Sequence, residues 1–302
     1  MTYLTCRIEI GERVIHYPKR IEIRSSWREL TDTAEIAVAA KGDVRTLKGE
    51  RVRIELGYDY RWYLAYEGEV ARVENDVLHC EDVMYRHKRQ EVKGKAYRKA
   101  TIKQVLLDAV PNLQVGEIAD VTIGAWRHEA MTAAALMKLL SEKTGVTIFY
   151  RDNRLYAGPA YTLLAGEAKT HRVVIGRNTK RDELSAPDSD RKLLVDVVIH
   201  DLDGGEVRRL KVGDEGGDKR TVHYFGVSDS EAKQRAEVDL EKMKATALTG
   251  SVTLFGRPSV RFGDVLEVTT KAGLTERVLV DEVTMVYDSD GLEQQLEIGY
   301  GV

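Results

Sequence analysis

The sequence is short of most of the features that mark a function at sight. Two cysteines, Cys6 and Cys80, among 302 residues cannot build a disulfide framework, so a reduced compartment is expected. Lys and Arg number 46 against 49 Asp and Glu. There is therefore no overall basic excess to hold nucleic acid by phosphate neutralisation. The longest mostly apolar uncharged stretch, Ala130–Met137, is far below the roughly 20 residues of a transmembrane helix, so no membrane insertion is expected. The first residues reach charge at Arg7 before any apolar run, which predicts no signal peptide. G-x-S-x-G, Walker A, H-E-x-x-H and G-x-G-x-x-G are all absent. With 43% hydrophobic and 31% charged residues, the chain is still long enough to bury a substantial core, in two or three domains.

What is present is mostly β-pattern. Ile8 and Ile10, Ile21 and Ile23, Ala34 to Ala40, and Val52 to Leu56 alternate with polar residues, separated by Gly-rich turns. Period two places one set of side chains on one sheet face. The pattern changes near residue 97. Thr101-Ile102-Lys103-Gln104 is a capping box that opens a helix stopped by Pro111. A second helix is expected over Thr132–Thr144, with Leu136, Leu139 and Leu140 inward, followed by a hairpin of Val146–Tyr150 and Arg154–Ala157 turning at Asp152-Asn153. Beyond residue 170 strands return, with Leu193, Val195, Val197 and Ile199 in alternation. Ser228-Asp229-Ser230-Glu231 caps one helix over 228–247, whose stripe is Ala232, Ala236, Leu240 and Met243. The division expected is 1–96 as a first β-barrel, 97–164 as an α+β module, and 186–302 as a second β-barrel with that one surface helix. Net charges of +1 over 1–96, +2 over 97–164 and −6 over 165–302 give the last part the acidic surplus.

A long-range echo runs through the chain. Gly49-Glu50-Arg51-Val52-Arg53-Ile54 aligns with Gly263-Asp264-Val265-Leu266-Glu267-Val268, and after a hairpin Val70 and Val73 align with Val283 and Val286. In both copies a V-x-x-V step breaks period two, as a β-bulge does. This predicts a fold that is mainly β with an α+β insertion: two tandem related β-barrels plus a small α+β module.

Candidate chemistry is sparse. His79 and His87 straddle a turn without an acidic third ligand at metal spacing. Asp201-Leu202-Asp203-Gly204 and Asp288-Ser289-Asp290-Gly291 start like calcium loops but lack the later acidic ligands, so hairpin turns are the better expectation. Tyr58, Tyr60, Trp62, Tyr63 and Tyr66 form an aromatic stretch open to three readings: a sugar or base platform, cross-strand packing, or a protein interface. No catalytic, cofactor-binding or metal residue is assigned.

The whole chain resembles the baseplate hub proteins of contractile phage tails, the family of the late-control D proteins and the hub part of the VgrG spikes. Three stretches carry the likeness. Thr31-Asp32-Thr33-Ala34-Glu35-Ile36-Ala37-Val38 is similar to the family's early strand. Tyr66-Glu67-Gly68-Glu69-Val70-Ala71-Arg72-Val73 with Cys80-Glu81-Asp82-Val83 resembles its "F-x-G-x-V…C-x-D" close. Thr249–Pro258 with Phe262-Gly263-Asp264-Val265 resembles its "G-x-P" turn and the start of its last hairpin. The resemblance implies a non-enzymatic, cofactor-free protein of a phage or prophage virion's tail baseplate, assembled in the bacterial host cytoplasm. It implies a homotrimer whose six barrels match a six-fold tail tube protein to a three-fold spike protein, beside other baseplate proteins, with genomic DNA only in transit. It also implies that His171–Arg177, within 165–185, can complete the first barrel. A tail-tip cell-wall hydrolase and a host-glycan binding module are the alternatives.

Overall fold

The computed structural model describes residues 3–38, 47–119, 122–144, 146–158, 167–185, 192–200, 207–225, 227–245 and 248–301. The N-terminal strands are β1 (Leu4–Ile10), β2 (Arg13–Ile15), β3 (Arg20–Ser26), β4 (Thr33–Ala37), β5 (Arg51–Tyr58), β6 (Arg61–Glu74) and β7 (Val77–Glu81). Their alternation is what the sequence predicts: Cys6, Ile8 and Ile10 of β1 and Val52, Ile54 and Leu56 of β5 are all buried. Asp59-Tyr60, closing β5 on β6, and Asn75-Asp76, closing β6 on β7, have positive φ at both residues. That is the geometry of two-residue hairpin turns matched to strand twist.

The chain then leaves the sheet through α1 (Met84–His87), β8 (Glu91–Val92), β9 (Lys95–Thr101), α2 (Ile102–Ala109), β10 (Val115–Ile118), β11 (Thr122–His128), β12 (Met131–Thr132), α3 (Ala133–Thr144), β13 (Thr147–Arg151) and β14 (Arg154–Gly158). Thr101 caps α2 as expected, its Oγ1 accepting from Gln104 N at 3.1 Å. Asp152-Asn153 makes the predicted turn. This α+β unit starts earlier than residue 97. Met84 and Val92 are already buried in its core, with Leu106, Leu136 and Leu155, and β8 pairs with β12. Helix α1 and β8 carry too few residues to show a period in sequence.

The remaining elements are β15 (Thr170–Val174), β16 (Thr179–Ser185), β17 (Leu193–His200), β18 (Arg208–Gly213), β19 (Asp218–Phe225), α4 (Asp229–Ala245), β20 (Thr249–Phe255), β21 (Val265–Thr269), β22 (Thr275–Asp288) and β23 (Gly291–Gly301). Ser228 caps α4 through Glu231 N at 3.3 Å, and Glu231 pairs with Arg235. Two expectations are corrected here. Strand β15 pairs with β21, and β16 with β20, so 165–185 does not complete the first strand set. Strands β17, β18 and β19 form their own sheet, which packs on Ala232, Ala236 and Leu240 of α4 instead of joining the large sheet. Their alternation identified strands but carried no information on which sheet receives them. The side chain of Met243 and residues 201–206, with the Asp201–Gly204 motif, lie outside the described residues.

The protein is therefore mainly β, with a thirteen-stranded, mostly antiparallel sheet. Its hydrogen-bonded path does not close into a barrel among the described residues. Within it, two runs share one order. β3-β4-β7-β6-β5-β1 is matched by β16-β20-β23-β22-β21-β15. Val52 lies opposite Gly68 and Leu266 opposite Val278, so Val52 and Leu266 hold equivalent places. The next step of the sequence alignment needs correction. Val70 corresponds to Val280, not Val283, because Gly49 and Glu50 bind the backbone of Val70 as Gly263 and Asp264 bind that of Val280. The β5–β6 hairpin is longer than its counterpart, which slides the true V-x-x-V step of the second copy to Val280-Asp281-Glu282-Val283.

Candidate functional site: the seam between the strand sets

The two runs join where β3 lies antiparallel to the far half of β22, from Ser26 opposite Glu282 to Ile21 opposite Tyr287. The bulge in β22 falls beside Asp281, which turns its carboxylate inward. That carboxylate accepts from Trp27 Nε1 at 3.1 Å and from Arg28, both in the turn that follows β3. Burial pushes the Asp281 carboxyl above its ordinary range, while Trp27 and Arg28 hold it down. The seam thus carries a buried acid fixed by two donors from the other strand set.

Asp264 plays a comparable part at the start of β21. It is 1% exposed, and its oxygens accept from Lys169 N (3.2 Å), Arg261 N (3.0 Å) and His171 Nε2 (2.9 Å). These bonds tie β15 to β21.

The aromatic stretch is largely spent inside the molecule. Tyr66 is buried, Tyr63 donates to Gly256 O at 3.2 Å, and Tyr58 donates to Leu292 O at 3.5 Å. Tyr63 and Tyr58 thus brace the β5–β6 hairpin against the end of β20 and against β23. Burial pushes the Tyr63 hydroxyl up to about 12. Tyr60 is exposed and lies edge to face on Trp62, 6.1 Å away, whose Nε1 donates to Thr5 Oγ1 at 2.9 Å. Of the other sequence candidates, His79 Nδ1 is 3.2 Å from Glu35 Oε1 on the neighbouring strand, and His87 sits apart in α1. Asp288 and Gly291 close the β22–β23 hairpin. Among the described residues no three His, Cys, Asp or Glu side chains are grouped to hold a metal.

Beside the seam lies a cavity of about 500 Å³, where β6, the β13–β14 turn and the 259–262 segment meet. Its polar wall includes the acids Asp32, Glu67, Asp82 and Asp152 together with Tyr66 and Arg151. Sequence reasoning missed Arg151 and Asp281, and read Asp82 only as part of a motif that closes a strand. A lone charged residue in a strand reads as solvent-facing until its neighbours across the fold are known.

No protein-family model matches the chain, and no curated protein matches its sequence. Solved structures do. The 43 kDa tail protein of prophage MuSo2 from Shewanella oneidensis matches with a TM-score of 0.59 at 14% identity, covering 98% of both chains. The tail protein from Neisseria meningitidis MC58 matches with a TM-score of 0.60 at 13% identity, over 98% of this chain and 96% of that one. The chain has the fold of the phage tail proteins. Prophage tail protein gp18 from Listeria monocytogenes EGD-e shares this phage-tail fold, with a TM-score of 0.55 at 12% identity over 97% and 94% of the two chains. The paired strand sets, the α+β unit after the first set and the second small unit are all contained within these end-to-end matches.

Proposed function

We propose that the chain is a structural baseplate hub protein of a phage or phage-like contractile tail. Three copies close into a ring that joins the six-fold tail tube to the three-fold spike. The observation that carries this reading is the repeated strand order within one chain. Two equivalent strand sets per copy give six equivalent stations from three copies, and each set is proposed to curl into one barrel of the ring. A closed ring needs a heterologous contact that returns on itself, and the internal seam supplies its template. In the second set β16 holds the place that β3 holds in the first, and among the described residues its outer edge pairs with no strand. In the first set β6 beyond Val70 holds the place of β22 beyond Val280, and there it pairs only with β7. The β16 edge of one copy meets that part of β6 in the next. Aligned on the internal seam, Ser185 of one copy faces Glu74 of its neighbour, as Arg24 faces Thr284 within the chain.

A tail-tip hydrolase and a glycan platform draw less support, because Tyr58 and Tyr63 bond within the molecule and Tyr66 is buried. The test is oxidation of a Glu74→Cys/Ser185→Cys double variant. The two cysteines belong to different copies at each seam, so a covalent trimer on a denaturing gel is the expected product, while either single variant stays monomeric. Sedimentation of the unmodified protein as a stable monomer, with no cross-linking of the double variant, overturns the ring.

A further inference from the structure

The cavity beside the seam contains a cation with two of its three nitrogens lacking a hydrogen-bond acceptor among the described residues. Arg151 ends β13 and is 5% exposed. Its guanidinium rests 5.3 Å from the centre of the Phe262 ring. Two carboxylates stand near it, and neither satisfies it. Asp152 Oδ2 is 3.5 Å from Nε, and Asp264 Oδ1 is 3.7 Å from Nη2. Asp264 cannot turn to it, since both its oxygens are held by Lys169 N, Arg261 N and His171. Nε and Nη1 of Arg151 are left with no hydrogen-bond partner among the described residues. The hydroxyl of Tyr66, 5% exposed on the same cavity wall, is in the same condition.

Buried donors are almost always paired, and a buried charge all the more so. A guanidinium and a phenol hydroxyl together ask for an anionic acceptor, and a planar two-oxygen group suits the fork of an arginine. The cavity volume lies within the range of small-ligand sites. Four acids line the cavity, Asp32, Glu67, Asp82 and Asp152, and two of them resist ionisation. Burial holds the carboxyls of Asp32 and Asp82 above their ordinary range, that of Asp82 at about 7, which favours their neutral forms. Lys169 adds a positive group to the wall.

We infer that this cavity is a binding site for a carboxylate group, held by Arg151 and Tyr66. It lies within one chain and stands independently of the ring. The carboxylate can come from a free small acid or from an acidic side chain of a partner protein, and one experiment separates the two. The full-length protein is titrated calorimetrically with N-acetyl-glutamate, with a short capped peptide carrying one central glutamate, and with the same peptide carrying glutamine. Binding of both glutamate probes, with none of the glutamine peptide, is the expected result. Tighter binding of the peptide assigns the site to a partner chain, and equal binding to a small acid. Tyr66→Phe keeps the ring and removes one donor, so it weakens binding about tenfold. Arg151→Met abolishes binding. Should that variant fail to fold, Tyr66→Phe and the glutamate–glutamine pair carry the test alone. No heat with either glutamate probe, equal binding of glutamate and glutamine peptides, or unchanged affinity in Tyr66→Phe overturns the site.

Discussion

Val70 and Val280 make the same two backbone hydrogen bonds in the two halves of the sheet. Val70 O accepts from Gly49 N at 2.8 Å and its N donates to Glu50 O at 2.9 Å; Val280 O accepts from Gly263 N at 2.7 Å and its N donates to Asp264 O at 2.9 Å. In each case the ladder shifts register just after the valine, and both side chains are fully buried in one shared core. A turn ahead of one strand is thus anchored to the bulge of the next, twice in one chain.

Equivalent stations should cost alike when emptied. Val70→Ala and Val280→Ala each remove two buried methyl groups and leave a small cavity, worth about 2 kcal/mol. Urea unfolding should move both midpoints down by similar amounts with an unchanged slope. A difference above about 1 kcal/mol between the two means that the geometry repeats without the packing.

The duplication was legible in the sequence at its turns and lost in its hairpins. Gly49-Glu50 and Gly263-Asp264 are short, chemically specific and placed at strand starts, so Val52 and Leu266 aligned correctly. Valines are common in strands, and the longer β5–β6 hairpin let Val283 stand in for Val280. Caps were legible for a similar reason, since Thr101 and Ser228 act on backbone groups three residues away. The cavity was not legible. Arg151, Tyr66 and Asp82 come from three separated stretches, and only the fold brings them together.

The bulge acid gives a second test. Gly299 on β23 faces the Asp281 carboxylate so closely that a Cβ there would overlap it. Gly299→Ala should therefore destabilise the seam. Asp281→Ala should also destabilise it, by about 2–3 kcal/mol, because Trp27 Nε1 loses its acceptor. Combined, the two should be less harmful than their sum by at least about 1 kcal/mol, since the alanine at 281 vacates the space that the new methyl needs. Strict additivity in chemical denaturation would show that Asp281 and Gly299 do not constrain each other.

Asp82 predicts the pH response of the large sheet. Its carboxylate accepts from Asp32 N and Met84 N, both at 2.8 Å, yet burial pushes its carboxyl up to about 7. Between about pH 4 and 7 the folded state therefore holds a proton that the unfolded state has released. Stability falls as pH rises through that window, with a slope of up to about 1.4 kcal/mol per pH unit, and levels off above it. Asp32, raised by burial and by Asp82, acts in the same direction. Asp82→Asn should flatten the slope in urea unfolding measured across this range. A slope unchanged by the substitution would assign the effect elsewhere.

The small unit of β17–β19 and α4 should respond with the opposite sign. His200 Nε2 and His223 Nδ1 are 3.0 Å apart, with rings stacked at 5.3 Å. Such a bond requires one nitrogen to donate and the other to accept, so at least one ring must stay neutral. Burial, helped by the charges of His200 on the neighbouring strand and Arg209 on β18, pushes His223 down to about 4; Asp196, held by Lys219 at 2.6 Å, opposes this weakly. The unfolded chain takes up this proton from about pH 6.5 downward, and the folded unit only near pH 4. The stability that depends on a neutral His223 is present above pH 6.5 and is lost as pH falls toward 4. Hydrogen exchange, corrected for the intrinsic rate, should therefore quicken in β17 and β19 between pH 7 and 5 while β5 and β6 hold or slow. His223→Gln, which keeps a polar group but cannot charge, should remove the acid-induced change. Faster exchange of all the sheets together at pH 5 would mean that the molecule loosens as one body and that the histidine pair has no separate influence.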